Sequence, residues 1–530
     1  METLKYDTII VGGGIAGLTS AAYVARAGQK ALLIEKNNEF GGLVSSFKRD
    51  GYHFEAGVRA LESAGIILPM LEDLGIELDV VRSKVSVGVE NQILSIEDLD
   101  SVLEYRDFLV KLYPESEADI DTFIKKMRKI MKHLDVLYGI ENPVFKDIKK
   151  DRNYVFKKLL PWLPKFIFTV RKINRLNGPV EDYLEKIIDN PSLRDIISQH
   201  FFKKTPSFFA LSYFSLYLDY FYPKGGVGKL ADVLVDKIKS CKGELKPNTL
   251  IKKINADEHY ILDDDNQKYT YRNLIWAADL KTFYNITETK NSEAEIQDKF
   301  KAAKEKIMAG KGSESVFSLY LEVDLPLSYF RDIAHGHFFY TPSKAGLNNL
   351  HRRELNEMLD TWDEINKTQV FAWLGRFLKR NTYEISIPGL KDETLVPKNK
   401  TGVIVSFIIE FELFEKLKKS GWYQEFRNET EAGIIQVLTR SVYPKLAENI
   451  EKRFSFTPLN IKNRVASSDG AIVGWTFERK SPAVNKIQIA NKAVVTPIPE
   501  ILQAGQWAYS PAGVPMSVLT GQLAADKICN

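Results

Sequence analysis

Three glycines near the N-terminus, Gly12, Gly14 and Gly17, follow the β-branched run Thr8-Ile9-Ile10-Val11, and Glu35 stands 18 residues beyond the last of them. Residues of these types in this spacing bind the pyrophosphate of a dinucleotide. Glycine at 12 permits a tight turn. At 14 it lets the backbone approach a phosphate with no Cβ in the way, and at 17 it lets a helix pack close to the strand. The free N–H groups where that helix begins, around Ile15 and Ala16, face the phosphate with the positive end of the helix dipole. Glu35, followed by Lys36, sits where a carboxylate accepts both hydroxyls of an adenosine ribose, and its charge disfavours a 2′-phosphate.

Other chemistry is thinly supported. His335 and His337 would share one face of a strand, as a pair of metal ligands does, but no third ligand is evident and no metal is expected. The remaining histidines, His53, His133, His200, His259 and His351, are scattered. G-x-S-x-G, H-E-x-x-H and G-x-x-x-x-G-K-[ST] are all absent, so hydrolase and P-loop chemistry have no motif. Cys241 and Cys529 are too few for a disulfide framework or a cysteine-based zinc site, and they suit a reducing cytosol.

The elements that must hold the glycines are legible. Thr8 to Val11 reads as a buried parallel strand, Leu18 to Ala27 as a helix ended by Gly28, and Ala31 to Ile34 as a second strand. The whole chain, 530 residues with 44% hydrophobic and 27% charged side chains, is long enough for more than one domain and ordinary for a folded protein. Lys plus Arg total 73 against 69 Asp plus Glu, a balance that gives no reason to expect nucleic acid. Met1 to Asp7 lacks a cleavable targeting pattern, so a cytoplasmic location is expected. No apolar run reaches the ~20 residues of a spanning helix, so any membrane contact is expected to be peripheral.

Further segments carry a family likeness. Beyond Glu35 come Phe40-Gly41-Gly42-Leu43 and then Phe54-Glu55-Ala56-Gly57-Val58-Arg59. Phe221-Tyr222-Pro223-Lys224-Gly225-Gly226 turns into a helix, Thr249 to Ile254 reads as a strand, and another strand ends in Ala277-Ala278-Asp279. Thr382 to Pro388 and Ser468 to Trp475 fit the same pattern. The C-terminal block runs Gly505-Gln506-Trp507, then Pro511-Ala512-Gly513-Val514-Pro515, then a helix of small and apolar residues. Along nearly its whole length the chain resembles the phytoene desaturases, carotenoid isomerases and retinol saturases of the amine oxidase flavoprotein superfamily.

That resemblance implies an α/β fold: a discontinuous Rossmann-like FAD-binding domain of about 1–62, 220–290 and 465–530, with an α+β substrate domain of about 63–219 and 291–464. It implies FAD contacts at Gly41, Gly42, Leu43, Gly57, Val58 and Arg59, at adenine-contacting Ile251, at Ala278, and at Gly505, Gln506, Pro511, Gly513, Val514 and Pro515. It also implies oxidoreductase chemistry on C–C or C=C bonds of a lipophilic, isoprenoid or polyene substrate, by desaturation, saturation or isomerisation. A flavin amine oxidase is the alternative. A non-enzymatic prenyl or lipid binder, like the GDP-dissociation inhibitors that share this fold, is a second, opposed by the intact glycines and Glu35. No motif specifies the electron donor or acceptor, and no second dinucleotide fingerprint occurs. Arg59, so near the expected flavin, is unusual opposite a pure hydrocarbon. It is the first candidate for a catalytic side chain, for reduced flavin or a polar substrate end, with an ion pair at a domain seam as the other reading. Glu62, Tyr217 and His337 are further candidates.

Two more segments bear on the substrate. Residues 146–175 interleave cations, including Lys149, with Trp162, Phe166 and Phe168 against only Asp147 and Asp151. This composition suits docking on anionic lipid or, equally, a core-packing helix pair with a solvated basic face. Pro161 and Pro164 are expected to break the segment into short helices. Phe201, Phe202, Phe208, Phe209, Tyr213, Phe214, Tyr217, Tyr220 and Phe221 either line a lipophilic tunnel or simply fill a core.

Overall fold

The computed structural model describes residues 3–146 and 150–529. Asp147, Ile148 and Lys149, counted above in the basic segment, lie outside the described residues. The strand Thr8–Val11 is fully buried and pairs in parallel with Ala31–Ile34 on one side and Asn273–Trp276 on the other. Glu244–Lys246 and Ile501–Gln503 complete this parallel sheet at its two edges. Continuous apolar runs form the central strands because helices cover the sheet's faces. The helix Ile15–Arg26 is one of these. It packs on the C-terminal helix Val514–Cys529, where a Cβ on Gly521 would stand 2.5 Å from the Ala16 carbonyl oxygen.

A second sheet is mixed and has seven strands. Its order is Ile450–Phe456, Ser315–Val323, Thr401–Ile409, Tyr383–Ser386, His337–Thr341, Val85–Val89 and Gln92–Ile96. Side chains alternate across it. Phe338 and Tyr340 join the core formed with the helices Lys367–Leu378 and Tyr423–Arg440. Phe339 faces the other way, into a core shared with the helices Ser101–Leu112, Glu117–Leu137 and Ser207–Asp219. A small sheet links the two bodies of structure: Tyr220–Pro223 pairs with both Leu61–Glu62 and Val80–Arg82.

The basic segment departs from its expected shape. A helix runs unbroken from Leu160 to Ile173 through Pro164, preceded by a wider π-type turn, Val155–Leu159. The wide turn immediately before Pro161 relieves the hydrogen bond its ring removes, and Pro164 is carried inside the helix. Trp162 and Phe166 turn inward and stack at 4.4 Å, and the Trp162 indole donates to the Val136 carbonyl at 2.6 Å. The exposed apolar side chains are others: Phe156 (66%), Phe168 (65%), Leu160, Leu163 and Ile167. No helix among the described residues is long and apolar enough to cross a membrane.

Candidate functional site

The glycine turn is shaped by contacts that tolerate no side chain. A Cβ on Gly17 would lie 1.9 Å from the Gly12 carbonyl oxygen, and Gly12 itself (φ +108°) would put one 2.7 Å from that of Ala277. Gly14 is different. Its Cβ would meet no protein atom within 4 Å and would project into open space. Gly14 is also the N-cap of the helix Ile15–Arg26 and supplies no side-chain cap, so the first N–H groups of the helix remain available to a ligand. Gly41 (φ +112°) bridges to Gly14, and its N–H donates to the Gly13 carbonyl at 2.7 Å.

Glu35 organises this turn. One carboxylate oxygen accepts from the Gly13 N–H at 2.7 Å, and the other from the Asn37 backbone and side-chain N–H groups at 2.9 and 2.8 Å. A carboxylate accepts about four hydrogen bonds, so capacity for one ribose hydroxyl remains beside these three.

These parts surround a cleft of about 220 Å3, open to solvent. Of the expected residues, Gly12, Gly14, Ile15, Ala16, Glu35, Gly41, Gly42, Leu43, Val58, Ala278, Gly505, Gln506, Gly513 and Val514 line it. A second helix, Val514–Cys529, also begins at its wall. Sequence reasoning missed Asn37, Asp279, Val465, Ser467, Ile472 and Val473, which come from loops and, for Val465, a helix end with no recognisable spacing.

Several expected residues lie behind the lining. Gly17 and Gly57 are spent on packing, the latter against the Leu43 carbonyl, where a Cβ would stand at 2.1 Å. Lys36 turns outward and donates to the Asn463 carbonyl at 3.0 Å. Ile251 is buried in an apolar core, although Thr249 beside it donates to the Glu35 carbonyl at 2.9 Å. Pro511 and Pro515 frame the C-terminal turn without lining the cleft.

Arg59 does not line the cleft. Val58 lines the cleft, and Arg59 points away from it into the seven-stranded sheet. Its guanidinium donates to the Glu55 carbonyl at 2.6 Å, to Ser318 Oγ at 2.9 Å and to Ser406 Oγ at 2.8 Å. Around it are Lys391, which donates to the Arg59 carbonyl at 2.7 Å and to Ser386 Oγ at 3.0 Å, and Tyr222, which donates to the Glu55 carboxylate. Burial pulls Lys391 down to about 8. This is a buried charge network tying the seven-stranded sheet to the strand Tyr52–Glu55 and to the small sheet of Tyr220–Pro223. His337 belongs to its edge, with Nε2 2.9 Å from Glu384 and its ring stacked on Tyr220. His335 is held apart from it by Glu97, at 2.9 Å. Burial, with Asp219 nearby, pushes Glu62 up to about 8.

The aromatic cluster divides. Phe201, Tyr213, Phe214 and Tyr217 line a second, small cavity of about 50 Å3, between the helix Ser207–Asp219 and the seven-stranded sheet. Phe221 joins the core beneath the parallel sheet instead, and Phe202 packs on Phe477. The cavity wall also includes His200, Phe339 and Met127, and it contains no Asp, Glu, Lys or Arg.

Comparison with known proteins places this geometry. A family model described as an NAD(P)-binding Rossmann-like domain matches residues 10–74, which hold the glycine turn and Glu35. The all-trans-retinol 13,14-reductase of Danio rerio is 21% identical, over 94% of this chain and 82% of its own length. A phytoene desaturase of Fusarium fujikuroi is also 21% identical, over 100% of this chain and 90% of its own. The chain is an oxidoreductase similar along most of its length to phytoene desaturases and retinol reductases. Solved structures share the fold of this phytoene desaturase-like chain. A putrescine oxidase variant superimposes with a TM-score of 0.59 at 13% identity, covering 99% of both chains. FAD is the dinucleotide of such an oxidoreductase, and the residues present fit it: open space before Gly14, two helix N-termini at one cleft, and a carboxylate at the ribose position.

Proposed function

We propose that FAD occupies the glycine-lined cleft and that the chain oxidises, reduces or isomerises an uncharged lipophilic polyene bound in the aromatic cavity. When bound, FAD supplies the two-electron redox chemistry. The chain's own part is to bind and orient. Gly14 and the helix start at Ile15 take the pyrophosphate, Glu35 takes the ribose, and the aromatic wall excludes water from the substrate.

The single observation that carries the substrate class is the cavity wall without charge. Burying an unpaired ammonium there would cost several kcal/mol, whereas apolar surface gains about 25 cal/mol per Å2. This disfavours the amine oxidase alternative. The test is anaerobic mixing of the holoprotein with polyenes, primary amines, quinones and NAD(P)H while the flavin spectrum is followed. Flavin reduction or reoxidation by a polyene is expected. Turnover of an amine with no response to any polyene would transfer the assignment to the alternative, and a purified protein without flavin would favour the binding protein.

Membrane contact belongs to the same proposal. Exposed Phe156, Leu160, Leu163, Ile167 and Phe168 lie among Lys157, Lys165, Arg171 and Lys172, an arrangement that suits an anionic lipid surface. Sedimentation with anionic liposomes is expected to exceed that with neutral ones and to fall with salt, because the screening length is only about 8 Å at physiological ionic strength. Phe168→Asp should reduce it further. Equal sedimentation with both liposomes would remove this surface from the proposal.

A further inference from the structure

We infer that the basic segment 479–492, with the end of the helix Ala294–Met308 beside it, is the docking surface for an acidic electron-carrier protein. The inference rests on the FAD reading above and deepens it by naming the partner that exchanges electrons with the cofactor.

The segment lies on the outer side of the cleft wall. Gly505, Gln506, Trp507, Gly513 and Val514 line the cleft from within. Behind them, Trp475 sets its ring 4.7 Å from that of Trp507, and its indole N–H donates to the Trp507 carbonyl at 2.9 Å. Trp475 also lines a surface pocket, together with Lys306, Lys311, Arg479 and Lys480. Two indoles therefore stand between this pocket and the cleft. Further along, Val484 bridges to Tyr509, and its carbonyl accepts from the Ser510 N–H at 2.9 Å. The basic segment is thus held against the stretch of chain that walls the cleft.

The charge on this surface is largely of one sign. Residues 479–499 include Arg479, Lys480, Lys486 and Lys492 and no Asp or Glu, although Glu305 and Glu478 adjoin the patch in sequence. No carboxylate lines the pocket. Lys306 donates to the Pro482 carbonyl at 2.8 Å, and Lys311 stands 3.7 Å from Glu410. Arg479 and Lys480 are exposed, with no hydrogen-bond or ion-pair partner among the described residues. Met308, Ile487 and Ile489 add exposed apolar surface. Cations spread along an exposed segment, with apolar side chains among them, suit a protein face better than a single small anion. Such a patch raises the encounter rate of an acidic partner, and electron-transfer encounters need little buried area.

The proposed chemistry calls for such a partner. A desaturation needs an acceptor of two electrons and a saturation needs a donor of two, yet the chain carries a single dinucleotide fingerprint. Two encounters balance one reduction: two reduced carriers each lose one electron, solvent supplies two protons, and two oxidised carriers leave. For an oxidation each transfer runs the other way.

The test uses purified holoprotein with two acidic probes, a two-iron ferredoxin and a rubredoxin, and two controls, basic cytochrome c and NADPH. Binding is read by surface plasmon resonance. Both acidic carriers are expected to bind, weakening about tenfold from low to physiological salt, and cytochrome c is not. Arg479→Glu combined with Lys480→Glu reverses two exposed charges that take no part in holding FAD. It should weaken both carriers about tenfold and slow bleaching of the flavin by reduced ferredoxin, with flavin content and thermal midpoint unchanged. Lys125→Glu with Lys126→Glu makes the same charge change on the helix Glu117–Leu137, in the other core, and should alter binding by less than about twofold. No salt-sensitive binding of either carrier, or an equal loss in both double variants, overturns the docking surface and leaves the FAD reading standing. Loss of NADPH binding instead of carrier binding in the Arg479 and Lys480 variant gives the pocket to a small phosphate-bearing ligand and overturns it equally. Protein that neither retains nor takes up FAD overturns the FAD reading and the inference with it.

Discussion

The two cavities of this protein recognise by opposite means. The cleft is walled largely by backbone: glycines at 12, 14, 41, 42, 505 and 513, two helix N-termini, and the carboxylates of Glu35 and Asp279. The aromatic cavity is walled by side chains, with no formal charge and no glycine. A phosphate needs N–H groups at close range, which only a chain without Cβ atoms can bring. An apolar ligand needs area, which only large side chains provide. The difference teaches that one site is built by removing side chains and the other by assembling them.

That contrast can be broken, beginning with the largest expected effect. Gly17→Ala puts a methyl group 1.9 Å from the Gly12 carbonyl oxygen, so the helix must move off the sheet. Stability should fall by about 3 kcal/mol, seen as a lower denaturant midpoint, with flavin lost as a consequence. Gly14→Val should separate binding from folding. Its Cβ meets no protein atom within 4 Å, so the flavin-free protein should melt where the wild type does while flavin content drops about tenfold. Full flavin occupancy in Gly14→Val would falsify the pyrophosphate assignment.

The aromatic cavity should answer oppositely. Ala210 is buried at its wall, and Ala210→Phe fills part of it. Polyene affinity is expected to weaken about tenfold with flavin stoichiometry unchanged, the reverse of Gly14→Val. Parallel loss of flavin would mean the two cavities are not independent.

The smallest effect concerns Glu62, whose strand pairs with Tyr220 beside the aromatic cavity. Its folded-state value of about 8 lies above the ordinary 4.5. Between those two values the folded chain holds a proton that the unfolded chain has released, so this group's stabilising effect is complete below pH 4.5 and lost as pH rises through 8. Glu62→Gln removes that loss. The variant should be about 1 kcal/mol more stable than wild type at pH 9 and no more stable at pH 4, by urea unfolding at each pH.

Legibility followed the same division. The glycine turn, its two strands and Glu35 were readable because each contact there is local or follows from a fixed strand-turn-helix spacing. The part of the cleft wall from Val465 to Val473 was not, since those residues reach the site only through the loop that follows the helix Pro458–Val465. Arg59 was read as a candidate for the flavin because it follows Val58 in sequence. The bend that follows the strand Tyr52–Glu55 carries it to Ser318 and Ser406, more than 250 positions away. In the basic segment the cations and aromatics were visible, but which aromatics face outward was not. Trp162 and Phe166 turned inward because Val136 offered the indole N–H an acceptor.

The sequence by itself determined the dinucleotide site, because a tight turn, a close phosphate approach and a ribose acid each demand a particular residue type at a particular spacing. It also determined the likeness to the phytoene desaturase group, carried by short blocks spread along the chain. The tertiary structure alone decided where the aromatic cavity lies, which aromatics line it, and that its wall carries no charge. A Phe or Tyr serves equally well in a core, a wall or a seam, so its type says little about its place. Only the packing of the helix Ser207–Asp219 against the strands Val85–Val89 and His337–Thr341 turned a run of aromatics into a cavity, with His200 and Tyr217 facing each other inside it.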